Sequence, residues 1–160
     1  MAIRRVGVIG CGLMGGGIAQ TCAQSGYETV VREVNQVLLD KGVARIYAAW
    51  DMMASKGKLT QGQVDENRAR LHGTLNMEDF ADCDLVIEAV IENMEEKLRI
   101  FPALDYIVKP GALLLTNTSS LNVTQIGAVT KRPDKVGGLH FFNPAPVMKL
   151  VEIVRTSCSI

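Results

Sequence analysis

The run Gly10-Cys11-Gly12-Leu13-Met14-Gly15 restricts this chain more than any other feature. It ends a short β-branched stretch, Arg5 to Gly10, of the kind a buried parallel strand shows, and it opens a helical pattern from Leu13 to Ser25 that Gly26 closes. A second apolar run, Thr29, Val30 and Val31, stops at Arg32 and Glu33. Strand, tight turn, helix and strand make a βαβ unit of about thirty residues. In a GxGxxG turn the three glycines serve different ends, namely tight turning, close approach of backbone to a pyrophosphate, and close packing of helix on strand. The helix N-terminus adds free amides and a partial positive charge. A carboxylate at Glu33 can accept hydrogen bonds from the adenosine ribose and would repel a 2′-phosphate. The sequence therefore predicts a dinucleotide site that favours NAD over NADP, with Arg32 keeping the second open because a guanidinium can serve a 2′-phosphate. Cys11, although beside a helix N-terminus where a thiol can become more acidic, reads as a packed small residue, since no base or second cysteine lies near it in sequence.

From Gln36 the pattern changes, and Leu39, Val43, Ile46, Trp50 and Met53 recur at the spacing of one helix face. After a Lys56-Gly57-Lys58 break a second, polar helix is expected from Gln61 to Arg70, so the pair forms a helical hairpin inserted after strand 2. Strands are expected at His72 to Leu75, Asp84 to Glu88, Leu113 to Thr116 and Val136 to His140, with helices between the last three. Pro102 interrupts the helical spacing of Met94, Leu98, Phe101, Leu104 and Val108, and predicts either a kink or a new helix with the proline in its first turn. A last strand, Lys149 to Val154, follows a link too short for a helical crossover and should run antiparallel to its neighbour. The expected architecture is a doubly wound α/β domain with a mostly parallel sheet, the inserted hairpin and an antiparallel final strand, all within residues 1–160.

Composition excludes several classes of partner. With 17 basic and 17 acidic side chains in 160 residues there is no field to favour nucleic acid or an anionic membrane. No apolar stretch approaches the roughly 20 residues needed to span a bilayer. Cys11, Cys22, Cys83 and Cys158 show no paired spacing with each other or with His72 and His140, so neither a disulfide framework nor a metal site is expected. The apolar N-terminal run breaks at once into glycines and does not read as a secretory signal. A reducing, cytoplasmic setting is the expectation.

Ligands of doubly wound sheets lie beyond the carboxyl ends of the strands. Three clusters fall there: Glu88 to Asn93, with Lys97 beyond; Thr116-Asn117-Thr118-Ser119-Ser120; and His140-Phe141-Phe142-Asn143-Pro144. Glu92 and Lys97 read equally as a helix-surface pair, and Ser119 or Ser120 reads also as the cap of the next helix. His140 is sharper, because it ends a strand, precedes two aromatics and is followed twelve residues on by Glu152 of the returning strand. A carboxylate facing the imidazole would fix its tautomer and raise its proton affinity, which suits a general base. His72 has no such partner in view and reads as structural.

Four blocks, GCGLMGGGIAQ at 10–20, EAVIENMEEK at 88–97, NTSSLNVTQI at 117–126 and GLHFFNPAPVMKLVEIV at 138–154, together with the inserted hairpin, give a chain that resembles the L-3-hydroxyacyl-CoA dehydrogenases over nearly its whole length. The resemblance implies a Rossmann-type domain with NAD as cofactor. It implies that Gly10, Gly12 and Gly15, with Leu13 and Met14 between them, hold the pyrophosphate, Glu33 the adenosine ribose, and Glu92 and Lys97 the nicotinamide-side ribose. It implies that His140 removes the substrate hydroxyl proton, Glu152 orients His140, Ser119 bonds the substrate oxygen and Asn143 positions substrate and cofactor. Lys56 would touch the CoA phosphates or simply face water. The reaction implied joins (3S)-3-hydroxyacyl-CoA and 3-oxoacyl-CoA, on short chains such as 3-hydroxybutyryl-CoA. Members of that family carry a C-terminal helical domain for substrate and dimerisation that these 160 residues do not contain, so the domain alone is expected to bind NAD with little turnover, and to self-associate as a homo-oligomer or pair with a separate C-terminal domain. A non-catalytic NAD-binding module and a dehydrogenase for another hydroxy acid remain alternatives.

Overall fold

The computed structural model describes residues 2–158. One seven-stranded sheet runs through it: β1 (Arg5–Ile9), β2 (Glu28–Arg32), β3 (Leu71–Thr74), β4 (Leu85–Glu88), β5 (Leu113–Thr116), β6 (Val136–Phe141) and β7 (Val151–Val154). The strand order is β3-β2-β1-β4-β5-β6-β7. All neighbours are parallel except β6 and β7, which pair antiparallel, as the short link between them requires. The chain thus winds outward from β1 to β3, then returns to β1 and continues the other way, leaving a crevice at the carboxyl ends of β1 and β4.

Among the described residues five α-helices flank the sheet: α1 (Leu13–Gln24), α2 (Gln36–Ser55), α3 (Gln61–Arg70), α4 (Met94–Ile107) and α5 (Val123–Ala128). Alternation along the strands splits the core. On one face Val6 and Val8 of β1, Val31 of β2 and Ile87 of β4 pack with Ile18 and Ala19 of α1, Leu39, Ile46 and Trp50 of α2, and Val64 of α3. On the other, Ile9, Val30, Val86 and Leu114 pack with Phe101 and Leu104 of α4 and Ile126 of α5. The near-continuous apolar character of the strands follows from this burial on both sides. The hairpin of α2 and α3 breaks where Gly57 takes φ +70°, and Thr60 with Gln63 forms a reciprocal capping box that starts α3.

Of the two expectations at Pro102, the new-helix reading fails: α4 runs unbroken from Met94 through the proline to Ile107. Pro102 lies on the exposed side, so the hydrogen bond it forfeits falls where water can replace it. The cap of α5 is also corrected. Asn122, not Ser119 or Ser120, accepts from the backbone N–H of Gln125 at 3.2 Å. His72 acquires a partner that sequence spacing does not suggest, Glu28 on β2, at 3.0 Å from its Nε2.

Candidate active site

The glycine turn meets the sheet at the crevice. Gly10 has φ +94°, and a Cβ there would lie 2.7 Å from the Ala89 carbonyl oxygen, so both handedness and space demand glycine. At Gly15 a Cβ would lie 2.0 Å from the Gly10 carbonyl oxygen, which fixes how closely α1 packs on the turn. Gly12 differs: a Cβ would meet nothing within 4 Å, and the residue is exposed at the mouth of the crevice. It is also the N-cap of α1, and among the described residues no side chain caps that helix. Asn35, Thr60, Asn93 and Asn122 cap the other four. The first-turn amides of α1 are thus left for an external acceptor, facing a gap that a side chain would fill, and that fits a pyrophosphate.

Glu33 turns its carboxylate into this turn, accepting from the backbone N–H of Cys11 at 2.8 Å and of Val34 at 3.0 Å. It shares a cavity of about 820 Å³ with Gly10, Gly12, Leu13, Met14 and Arg32. Arg32 is committed elsewhere in part, its Nε donating to the Leu75 carbonyl at 3.1 Å. Cys11 is packed, in line with its sequence context: burial, with the Glu33 charge adding to it and Arg45 opposing, pushes its thiol up to about 11. Beneath it Gly42 of α2 leaves room for its Sγ, and Arg45 Nη2 donates to its carbonyl at 3.2 Å, so the inserted hairpin braces the turn.

A second cavity, of about 320 Å³, adjoins the first, with Met14, Ala89 and Val90 lining both. Here Glu92, Lys97, Ser119, His140 and Asn143 come together, Lys97 from the first turn of α4 and the others from the carboxyl ends of β4, β5 and β6 or the loops after them. The β6–β7 register sets His140 opposite Glu152, and His140 Nδ1 lies 2.9 Å from Glu152 Oε2. The Phe142 ring stands 4.8 Å from the imidazole, centroid to centroid. Nε2 is then the nitrogen left for a ligand.

Glu92 gathers the loop after β5: the Thr118 hydroxyl and the backbone N–H of Ser119, the latter at 3.2 Å, donate to its Oε1. Partial burial works against its charge, but the Thr118 hydroxyl, the Lys97 ammonium and the Ser119 and Ser120 amides outweigh this and hold it below the usual carboxylate range. Lys97 lies 3.7 Å from Glu92, yet its nearer partner is Glu88, whose two oxygens are 2.7 and 2.9 Å from Nζ. Glu88 and Lys97 are 0% and 1% exposed, and the burial of Lys97 rules out a surface pair of Glu92 and Lys97, although Glu92 itself is 41% exposed. The Thr116 hydroxyl and the Val90 amide, each at 2.8 Å, complete the bonds to Glu88. Sequence reasoning has Glu88 in a polar cluster without a role of its own; the signal that could have singled it out is a carboxylate ending an otherwise apolar strand. Lys56, by contrast, is exposed at the C-cap of α2, and neither cavity includes it.

A sequence model described as the 3-hydroxyacyl-CoA dehydrogenase NAD-binding domain matches residues 5–159. A probable 3-hydroxybutyryl-CoA dehydrogenase of Deinococcus radiodurans is 46% identical over 94% of the chain and 54% of its own length. A 3-hydroxybutyryl-CoA dehydrogenase of Mycobacterium tuberculosis is 46% identical over 97% of the chain and 54% of its own. The crystal structure of (S)-3-hydroxybutyryl-CoA dehydrogenase from Ralstonia eutropha superposes with a TM-score of 0.96 at 40% identity, covering 99% of this chain and 56% of that one. The chain spans about half the length of these relatives. It belongs to the family of NAD-binding domains of the 3-hydroxyacyl-CoA dehydrogenases.

Proposed function

We propose that the chain is the cofactor half of an oxidoreductase interconverting (3S)-3-hydroxyacyl-CoA and 3-oxoacyl-CoA, with short acyl groups such as 3-hydroxybutyryl as substrate. The observation that carries this reading is the 2.9 Å contact between His140 and Glu152, with His140 lining a cavity that adjoins the one at the glycine turn. NAD, when bound, supplies the hydride acceptor. His140 takes the substrate hydroxyl proton on Nε2, and returns it in the reverse direction. Glu152 fixes the tautomer that leaves Nε2 free and offsets the imidazolium charge. Ser119 donates to the substrate oxygen, and Asn143 positions the reactants. Gly10, Gly12 and Gly15, with Leu13 and Met14, cradle the pyrophosphate; Glu33 receives the adenosine ribose; Glu92 and Lys97 receive the nicotinamide-side ribose. Lys56 is assigned to the CoA phosphates on the family resemblance alone.

The relatives' names support the substrate class, and their extra length supports a separate second domain; on the family resemblance alone that domain is helical, closes the acyl-CoA cleft and makes the contacts of a homo-oligomer. Water exclusion by such a domain is what hydride transfer beside a charged base requires. Free thiols at all four cysteines are in keeping with a reducing, cytoplasmic setting. The test is NADH oxidation driven by acetoacetyl-CoA, with this chain joined to the helical half of a relative. Turnover that disappears in His140→Gln is expected; an assembly that binds NADH and stays inert overturns the reaction and leaves a binding module.

A further inference from the structure

We propose that Asn117 is a catalytic hydrogen-bond donor, its Nδ2 contacting the oxygen on substrate C3 as that oxygen gains negative charge. The inference rests on the dehydrogenase reading above. Asn117 is the first residue after β5, half-buried, and lines the same cavity as His140 and Ser119. It is held at both ends: its backbone N–H donates to the Glu88 carbonyl at 2.8 Å, and its Oδ1 accepts from the backbone N–H of Phe141 at 2.8 Å. A backbone N–H can only donate, so the atom facing Phe141 must be the side-chain oxygen, and the amide cannot turn over without leaving that N–H unmet. The NH2 group is thereby fixed as the other end of the amide, with no acceptor among the described residues.

Phe141 follows His140 on β6, so the same contact ties this donor to the strand that carries the acid. During reduction of the ketone, C3 would accept hydride from NADH, which leaves as NAD+, the carbonyl electron pair would move onto oxygen, and His140 Nε2–H would supply the proton that makes the alcohol. Asn117 changes no protonation state in that sequence. It lowers the barrier by presenting a pre-oriented dipole where charge develops, in a cavity that the second domain of the assembled enzyme would close to water.

The experiment uses the assembled enzyme of the preceding test and compares wild type with Asn117→Asp and Asn117→Ala. Aspartate keeps an acceptor for the Phe141 N–H but has no donor when ionised; alanine has neither. We expect kcat with acetoacetyl-CoA to fall about 100- to 1,000-fold in both variants, with NADH affinity, read by its fluorescence, within about threefold of wild type. If kcat in Asn117→Asp stays near wild type, the side chain serves only to hold Phe141 and the inference fails. If Asn117→Asp falls and Asn117→Ala does not, charge repulsion explains the loss and the inference fails again. An inert wild type that binds NADH sinks the dehydrogenase reading, and this inference with it, whereas an active wild type with an unaffected Asn117→Asp sinks this one alone.

Discussion

The two ends of the crevice are built from different materials. The end beside β1 and β2 is shaped by backbone: three glycines, an uncapped helix terminus and one carboxylate that bonds two amides. The end beside β4, β5 and β6 is shaped by side chains bonded to one another across strands, with Glu88, Lys97, Thr116, Glu92 and Thr118 forming a chain of contacts and His140 with Glu152 a second. A backbone-built site answers to steric change at single positions. A side-chain-built site answers to loss of a partner, because what remains is buried and unmet.

The largest effect separating the two should come from Lys97→Ala. It strands the fully buried Glu88 carboxylate, and a stability loss of about 3–5 kcal/mol in urea unfolding is expected. Replacing both, as Glu88→Leu with Lys97→Met, should recover most of that stability without restoring NADH affinity; recovery of both would show that the pair serves packing alone. Gly15→Ala comes next, since its Cβ would lie 2.0 Å from backbone that cannot withdraw, costing about 3 kcal/mol with NADH binding lost in a fluorescence titration. Asp84, just before β4 and so at the end of that strand away from the crevice, is the control for stability without binding. The Lys109 ammonium first, then the Arg4 and Arg5 amides, hold its carboxyl well below the ordinary 3.8, against a smaller effect of burial. A lowered folded-state value means that its contribution is present above about pH 4 and is lost as pH falls towards that value. Asp84→Asn should therefore cost about 2 kcal/mol at neutral pH, narrow the difference from wild type in unfolding curves taken below about pH 4, and leave NADH affinity unchanged. The smallest effect on stability is expected from Gly12→Ala, within about 0.5 kcal/mol, because the added methyl meets no protein atom; NADH binding should nonetheless weaken, as the methyl occupies the phosphate's approach.

The same contrast explains what the sequence can show. Gly10, Gly12, Gly15 and Glu33 are legible because a turn, a helix and a strand end lie within one short βαβ stretch, where spacing alone sets geometry. The mostly parallel sheet and the antiparallel β7 follow from strand patterning and link length. His140 with Glu152 is legible because twelve residues of returning chain bring them opposite. Glu88, Thr116 and Asn117 show in the sequence only as members of polar clusters. Their partners are long-range, Thr116 bonding to Glu88 and Asn117 to Phe141, and no local period reports such pairings. Lys97 shows the reverse problem: the near neighbour in sequence, Glu92, conceals the closer partner, Glu88, across the β4-to-α4 link.

One consequence of β7 extends beyond the residue it carries. Sliding that strand by a single position would set Val151 or Ile153 against the imidazole and turn the carboxylate to the opposite side of the sheet. All four residues of β7 are exposed, and among the described residues β6 is the one strand that pairs with it. The aim of the proposed base thus depends on the edge strand of this sheet, and a change in the β6–β7 pairing would disturb the proposed proton transfer as well.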